Sequence, residues 1–180
     1  MEEIKHTYTI QWVGPLTYDE YKEYVKDCDT LDSGYFNFYY FEARPDARCS
    51  LDRLWRINKE NERINYRFNA RQGPFREFMD CKDIRIWIGS FADAKNQKES
   101  KIELVETLLI QAYGKELTEN KRKKVCLPSE SVCLINLWFD KNERLKVYNI
   151  DRPCFDDVVL YYGEEQMFKR GNLSRVINND

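Results

Sequence analysis

The stretch Ile102-Glu-Leu-Val-Glu106-Thr-Leu-Leu-Ile-Gln-Ala-Tyr113 places one acid inside an apolar run with helical spacing. Ile102, Val105 and Leu109 recur every three or four residues, so they share one face of a helix, and Glu106 falls on that same face. A carboxylate on the core side of a helix must be paired, protonated or bound to a metal, because an unpaired buried charge is costly. Glu106 is therefore the first functional candidate, and a structural carboxylate paired with a nearby Arg or Lys is the alternative.

Short strands and helices are predicted on both sides of this helix. Thr17-x-x-Glu20 is a capping box that begins a helix, and Phe36, Phe38 and Tyr40 alternate with Tyr39 and its neighbours as in a strand. The predicted strands cover 8–13, 35–41, 51–57, 84–89, 132–139, 145–148 and 158–162, and the predicted helices cover 17–26, 61–71 and 98–113. The basic tail that begins at Lys169 is expected to be frayed.

Composition limits the class of protein. A chain of 180 residues and 21.7 kDa fits one domain, and 42% apolar residues exclude a disordered segment. The net charge of −2 argues against bulk attraction to nucleic acid or acidic membranes, so any phosphate-binding surface must be local. No run approaches the roughly 18 apolar residues of a membrane span, and we expect a cytoplasmic protein without membrane contact.

Histidine and cysteine usage removes several kinds of site. The six cysteines form no Cys-x-x-Cys pair, so a zinc site is not expected and reduced, buried thiols are. The only histidine, His6, lies in a polar start, which leaves no Ser-His or Cys-His nucleophile system.

The motifs along the first two-thirds of the chain resemble those of the GIY-YIG nucleases. Gly34-Tyr35-Phe36 stands where the family has Gly-Ile-Tyr, and Leu54-Trp55-Arg56-Ile57 stands where it has Leu-Tyr-Ile-Gly. Arg67 matches the family's Arg, Glu106 its metal-binding Glu, and Asn120 its later Asn. The resemblance covers roughly residues 8 to 125, and the segment around Gly14-Pro15 is similar to a branch found in bacterial and phage genomes.

The resemblance implies an α+β fold, with a small mixed sheet of three strands flanked by helices. The domain would span 1–125, and 126–180 would form a β-rich extension packed on it, with a C-terminal β-hairpin.

The resemblance also implies a catalytic site. Glu106 would hold Mg²⁺ or Mn²⁺ and Arg67 would clamp the phosphate, which is sound phosphoryl chemistry for a hard cation and a guanidinium. The proton-accepting Tyr of the first motif is replaced by Phe36, so Tyr40 or Tyr66 would have to supply the hydroxyl.

Two basic segments are candidates for binding nucleic acid. Arg63, Arg67 and Arg71 recur every fourth residue and form a ridge of like charge, which is answered either by an anionic ligand or by acids of the same chain. The segment Asn120, Lys121, Arg122, Lys123 and Lys124 is either a solvated turn or a contact with a phosphate backbone.

Three functions are therefore expected in turn. The first is a divergent GIY-YIG-type endonuclease that hydrolyses DNA with a divalent metal. The second is a catalytically inactive relative that binds DNA, RNA or a protein partner, for example in the conflict between phages and bacteria. The third is a structural domain that shares only the fold.

Overall fold

One mixed sheet of seven strands is the centre of the computed structural model, which describes residues 3–28, 37–43, 48–53, 84–117, 126–142, 144–145 and 155–173. Two α-helices and one short 3₁₀ turn accompany the sheet within these ranges. In chain order the elements are β1 (Ile4–Leu16), α1 (Tyr18–Cys28), β2 (Phe38–Ala43), β3 (Arg48–Arg53), β4 (Ile84–Phe91), the 3₁₀ turn (Ala94–Asn96), α2 (Glu99–Ala112), β5 (Ser131–Phe139), β6 (Val158–Tyr162) and β7 (Met167–Gly171).

The central strand of the sheet is β1. Across the sheet the order is β3-β2-β4-β1-β5-β6-β7. β1 pairs antiparallel with β4 and parallel with β5, and every other neighbouring pair is antiparallel. Since β1 is 13 residues long, it joins the strands on its two sides into one continuous sheet.

The predicted three-stranded GIY-YIG-like sheet flanked by helices is wrong. β5, β6 and β7 come from the segment 126–180, which was expected to pack on the domain as an extension. They form one side of the main sheet, because β5 pairs with β1 over the register from Ile4↔Ser131 to Val13↔Phe139. Alternating side chains predicted each strand, but the partner of a strand is not encoded in its own alternation.

Most of the predicted elements that lie in the described ranges are confirmed. Strands occur at 8–13, 84–89, 132–139 and 158–162, and helices at 17–26 and 98–113, with small shifts at their ends. The returning strand of the first hairpin begins at Arg48, earlier than the predicted residue 51, because Ala43 pairs with Arg48. The frayed tail from Lys169 is wrong, because β7 pairs with β6 through Gly171.

Three other predicted elements are only partly visible. Leu145 forms an isolated bridge with Phe139, and the remaining residues of the predicted strand at 145–148 lie outside the described ranges. The helix predicted at 61–71 and the second half of the strand at 51–57 lie outside them as well. The strand predicted at 35–41 is described from residue 38.

The main core fills the space between the sheet and α2. Apolar side chains at alternate positions of the strands point toward the helix, as expected for a sheet with one face under a helix. This core contains Tyr8, Ile10, Trp12, Phe38, Tyr40, Trp87, Phe91, Ile102, Val105, Leu108, Leu109, Ile110, Tyr113, Leu117, Val132, Leu134, Trp138, Phe155, Val159 and Tyr161.

The opposite face of the sheet is covered unevenly. On its β2-β4-β1 part the buried side chains form cross-strand rows, of which Tyr39, Ile88 and Val13 are one, and α1 contacts β4 and β1. On its β5-β6 part the side chains at Ile135 and Leu160 are only half-buried. The helices therefore bury one face of the sheet fully and the other face in part.

The capping box predicted for α1 is formed. The Thr17 backbone N–H donates to Glu20 Oε2 at 2.9 Å, and the Glu20 backbone N–H donates to Thr17 Oγ1 at 3.2 Å. Lys141 Nζ donates to Glu20 Oε1 at 2.8 Å and so ties α1 to the end of β5. The hydrogen bond from Lys141, followed by the backbone hydrogen bond from Thr17, holds the pKa of Glu20 below its usual value.

Candidate functional site

Glu106 lies in the core stripe of α2, as the sequence predicts. Its exposed fraction is 3%, and Ile102, Val105 and Leu109 on the same face are exposed by 1% or less. The carboxylate has an interaction partner, so its charge is not isolated. It is held among apolar side chains and is not presented to solvent at an open cleft.

The metal expected at Glu106 does not fit this environment. Mg²⁺ and Mn²⁺ take oxygen ligands, and Mg²⁺ in particular keeps several of its waters. Glu106 instead has the apolar side chains of its own stripe as neighbours. Within the described part of the chain, no group of three or more His, Cys, Asp or Glu side chains is arranged to hold a metal ion.

Tyr40 belongs to the same core. Its side chain is fully buried on β2, and its ring lies 5.0 Å from the ring of Phe155, measured between centroids. Phe155 also packs on Tyr113 and Trp12, at 4.9 Å and 5.6 Å. Tyr40 thus contributes to the aromatic centre of the core, which does not suit a residue that must exchange a proton with water.

The remaining predicted site residues lie outside the described ranges. They are Arg63, Tyr66, Arg67, Arg71, Asn120, Lys121, Arg122, Lys123 and Lys124. The predicted convergence of Arg67 on Glu106 therefore stays a prediction.

A buried polar network joins β1, β5 and the segment before β6. Trp12 Nε1 donates to Asn136 Oδ1 at 2.9 Å, and Asn136 Nδ2 donates to the Asp156 carbonyl oxygen at 2.7 Å. Trp138 Nε1 donates to Asp157 Oδ1 at 2.9 Å, and the other carboxylate oxygen of Asp157 accepts from the Leu173 backbone N–H at 2.8 Å. These hydrogen bonds compensate the burial of the polar groups and fix the segment before β6.

A second cluster lies where α2 ends beside β7. The Tyr113 hydroxyl donates to Asp156 Oδ2 at 2.9 Å and accepts from the Asp156 backbone N–H at 2.7 Å. The Arg170 guanidinium carbon lies 4.5 Å from the centre of the Tyr113 ring. Arg170 Nη1 donates to Glu116 Oε1 at 3.1 Å and lies 3.5 Å from the Ala112 carbonyl oxygen, at the C-terminal end of the helix.

The two titratable groups at the centre of this cluster have raised pKa values for different reasons. Burial raises the pKa of Tyr113, so its hydroxyl stays protonated and remains available as a donor. Burial alone would lower the pKa of Arg170, but the hydrogen bond to Glu116 and the nearby negative charges reverse the direction. The cluster is therefore a fixed charge arrangement at neutral pH.

A cleft opens beside this cluster. It has a volume of about 310 Å³, and its lining includes Gln111, Lys115, Glu116 and Arg170. Lys115 and Glu116 are exposed, so the cleft has charged walls that solvent can reach. We call it the β7 cleft, because Arg170 of β7 forms one wall and the end of α2 forms the other.

A group of exposed basic side chains lies at the other end of α2. This lysine group consists of Lys95 in the 3₁₀ turn, Lys98 immediately before the helix and Lys101 in its first turn. Lys101 Nζ lies 5.7 Å from the centre of the Tyr8 ring and donates to Asn96 Oδ1 at 2.6 Å. The N-terminal end of a helix usually attracts acids, so three lysines here add positive charge to an already positive end.

Sequence reasoning missed the residues of the polar network and of the second cluster. Asn136 had a readable signal, because it occupies a core-facing position of a strand between Leu134 and Trp138, as Glu106 does in its helix. Asp156 and Arg170 had no such signal. Asp156 and Tyr113 are 43 positions apart along the chain, and only the fold brings them together.

Comparison of the chain with protein-family models, with curated proteins and with solved structures finds no match. Among the described helices, none is long and apolar enough to cross a membrane.

Proposed function

We propose that this protein binds nucleic acid through local basic surfaces, and that Glu106 serves the core and does not hold a catalytic metal. The observation that carries the proposal is the position of Glu106, at 3% exposure within the apolar stripe of α2. Tyr40, the other described member of the predicted catalytic set, is fully buried. Both side chains are thereby assigned to stability, which leaves the basic residues as the functional candidates.

The lysine group supports nucleic acid as the ligand. Lys95 and Lys98 are exposed, and Glu99 is the acid in the first turn of α2. Phosphate contacts by Lys and Arg supply most of the non-specific affinity for nucleic acid. Such a local group is what a chain with a net charge of −2 requires.

The sequence places further basic residues after the other end of α2. Lys121, Arg122, Lys123 and Lys124 follow Leu117, which packs in the core after the helix. α2 has 14 residues, so its length is about 21 Å. We expect the lysine group and this second basic segment to contact separate phosphates along one strand, together with Arg63, Arg67 and Arg71.

Salt dependence tests this proposal. Fluorescence anisotropy with labelled single-stranded and double-stranded DNA and RNA gives the dissociation constant at a series of salt concentrations. Replacing Lys95, Lys98 and Lys101 together by Ala should weaken binding and reduce the salt slope by roughly 0.7 to 0.9 for each phosphate that the variant no longer neutralises. The matched control is Lys141→Ala, because that exposed lysine pairs with Glu20 near α1.

Two results would contradict the proposal. One is the absence of binding to any of these nucleic acids at low salt. The other is binding that neither the triple lysine variant nor a second triple variant, with Arg63, Arg67 and Arg71 replaced by Ala, weakens beyond the control.

Endonuclease activity stays a prediction of the sequence resemblance. The seven-stranded sheet removes the small three-stranded fold that the resemblance implied. Cleavage of DNA with Mg²⁺ or Mn²⁺ by Glu106 and Arg67 is therefore the competing outcome, and it requires its own measurement.

A further inference from the structure

The strand β7 forms one edge of the sheet and carries unusual side chains for an edge. It is the last strand in the order, and no strand in the described part of the chain pairs with its outer side. An open edge presents unpaired backbone N–H and C=O groups, which can accept another strand. Met167 in β7 and Leu173 just after it are each 37% exposed, and they are two of the three large apolar side chains exposed in the described ranges.

Positive charge lies on both faces of this edge. Lys169 is paired across the sheet with Leu160, and its Nζ lies 5.0 Å from the centre of the Tyr162 ring. Arg170 points to the other face, toward the end of α2. A strand added beside β7 would therefore meet a cation on each face.

The β7 cleft lies beside one of these faces. Its lining includes Lys115 from the end of α2 and Arg170 from β7. In strand addition, backbone hydrogen bonds supply affinity, and pockets for alternate side chains supply specificity. The cleft has the position that such a pocket needs, because it adjoins the strand whose edge is open.

Gly171 leaves room above the end of the strand. A Cβ atom added there would meet no heavy atom within 4 Å. A large side chain of an added strand can therefore lie over Gly171, between Met167 and Leu173.

These observations argue for a partner other than a second copy. Full antiparallel pairing of β7 with itself would place Lys169 opposite Lys169, and like charges directly opposite each other destabilise a pair of strands. Acidic side chains at those positions would instead pair with Lys169 and approach Arg170 and Lys115. Charge thus selects the occupant of the edge.

We propose that β7 and the β7 cleft form a docking site for an extended, acidic segment of a partner protein, which adds to the sheet as an eighth strand. The segment carries acidic side chains that face Lys169 and the cleft, and apolar side chains that cover Met167 and Leu173. The proposal does not depend on nucleic-acid binding, because it concerns the opposite end of α2 from the lysine group.

The test uses the full chain and two short labelled peptides. In one peptide valine alternates with glutamate, and in the other valine alternates with lysine. We expect the glutamate peptide to bind and the lysine peptide not to bind. Lys169→Glu should weaken binding of the glutamate peptide by roughly tenfold, because an attractive cross-strand pair becomes a repulsive one. Lys95→Glu, at the far end of α2, is the matched control and should leave the affinity unchanged.

Hydrogen exchange of the backbone amides supplies the second measurement. If the peptide adds to the sheet, exchange within Met167–Gly171 should slow on binding, whereas exchange in β3 at the other edge should not. Failure of the glutamate peptide to bind, equal binding of both peptides, or binding without protection of β7 would each overturn the proposal. So would a self-associated protein whose dimer dissociates in Lys169→Glu, or a peptide affinity that Lys169→Glu leaves intact while DNA affinity falls.

Discussion

Replacing Trp12 by Ala is expected to lower the free energy of unfolding by about 3–5 kcal/mol. Trp12 is fully buried in the central strand β1, and its ring contacts the rings of Phe38, Trp138 and Phe155 at centroid distances of 6.1, 5.9 and 5.6 Å. The substitution removes these contacts and leaves a cavity at the centre of the sheet. Equilibrium unfolding in urea measures the loss, which is a large share of the roughly 5–15 kcal/mol typical of a domain.

The close approach of Gly89 explains why this site is not expected to collapse around the smaller side chain. A Cβ atom at Gly89 would lie 2.8 Å from Cε3 of the Trp12 indole, so the ring fills the space that a side chain on β4 would otherwise occupy. Trp12→Phe is the control, because a phenyl ring keeps much of the apolar contact and should cost less than Ala. A loss below about 1 kcal/mol for Trp12→Ala is typical of a half-exposed residue and would contradict this packing.

Replacing Asn136 by Leu is expected to produce the second large loss, although leucine has a similar size. Asn136 is 1% exposed, accepts a hydrogen bond from Trp12 Nε1 and donates one to the carbonyl oxygen of Asp156. Leucine leaves both of these buried groups without that partner, and each such loss costs about 1–3 kcal/mol. Urea unfolding of the variant measures the sum.

The double variant separates hydrogen bonding from packing. In the Trp12→Phe background the indole N–H is absent, so Asn136→Leu should cost less there than in the wild type, and the two changes should not add. Asn142→Leu is the matched control, because that exposed asparagine lies in the turn after β5 and should change stability by less than about 0.5 kcal/mol. Equal costs of Asn136→Leu in both backgrounds would contradict the bond between Trp12 and Asn136.

Local features of the fold were predictable because they follow from neighbouring residues. The spacing of Ile102, Val105 and Leu109 placed Glu106 on the buried face of α2, and the structure has it there. The pair of Thr17 and Glu20 predicted the start of α1, which forms both hydrogen bonds of a capping box.

The topology was not predictable from the same features. β1 pairs with β5, so Thr7 is placed beside Cys133, more than a hundred residues away. Alternation identifies a strand and its faces, but it is silent on which neighbour the strand selects. For β1 the polar residues Lys5 and His6 also concealed its full length, because they extend the strand beyond the alternating stretch that begins at Tyr8.

The same distinction applies to the candidate site. A buried polar residue within an apolar pattern can be read locally, as at Glu106. The cluster of Tyr113, Asp156 and Arg170 requires three distant elements to meet, and its members have ordinary neighbours in the sequence. The β7 cleft depends on that meeting, and so it could be recognised only in the fold.

The most direct test of the central claim, that Glu106 belongs to the core and the protein binds nucleic acid without cutting it, is a cleavage assay under binding conditions. Labelled DNA is incubated with wild type and with Glu106→Gln, in Mg²⁺, in Mn²⁺ and in chelator, and is then separated by size. We predict that the DNA is bound and stays intact in every sample. Metal-dependent cleavage by the wild type that is lost in a folded Glu106→Gln variant would contradict the account and establish Glu106 as a catalytic ligand.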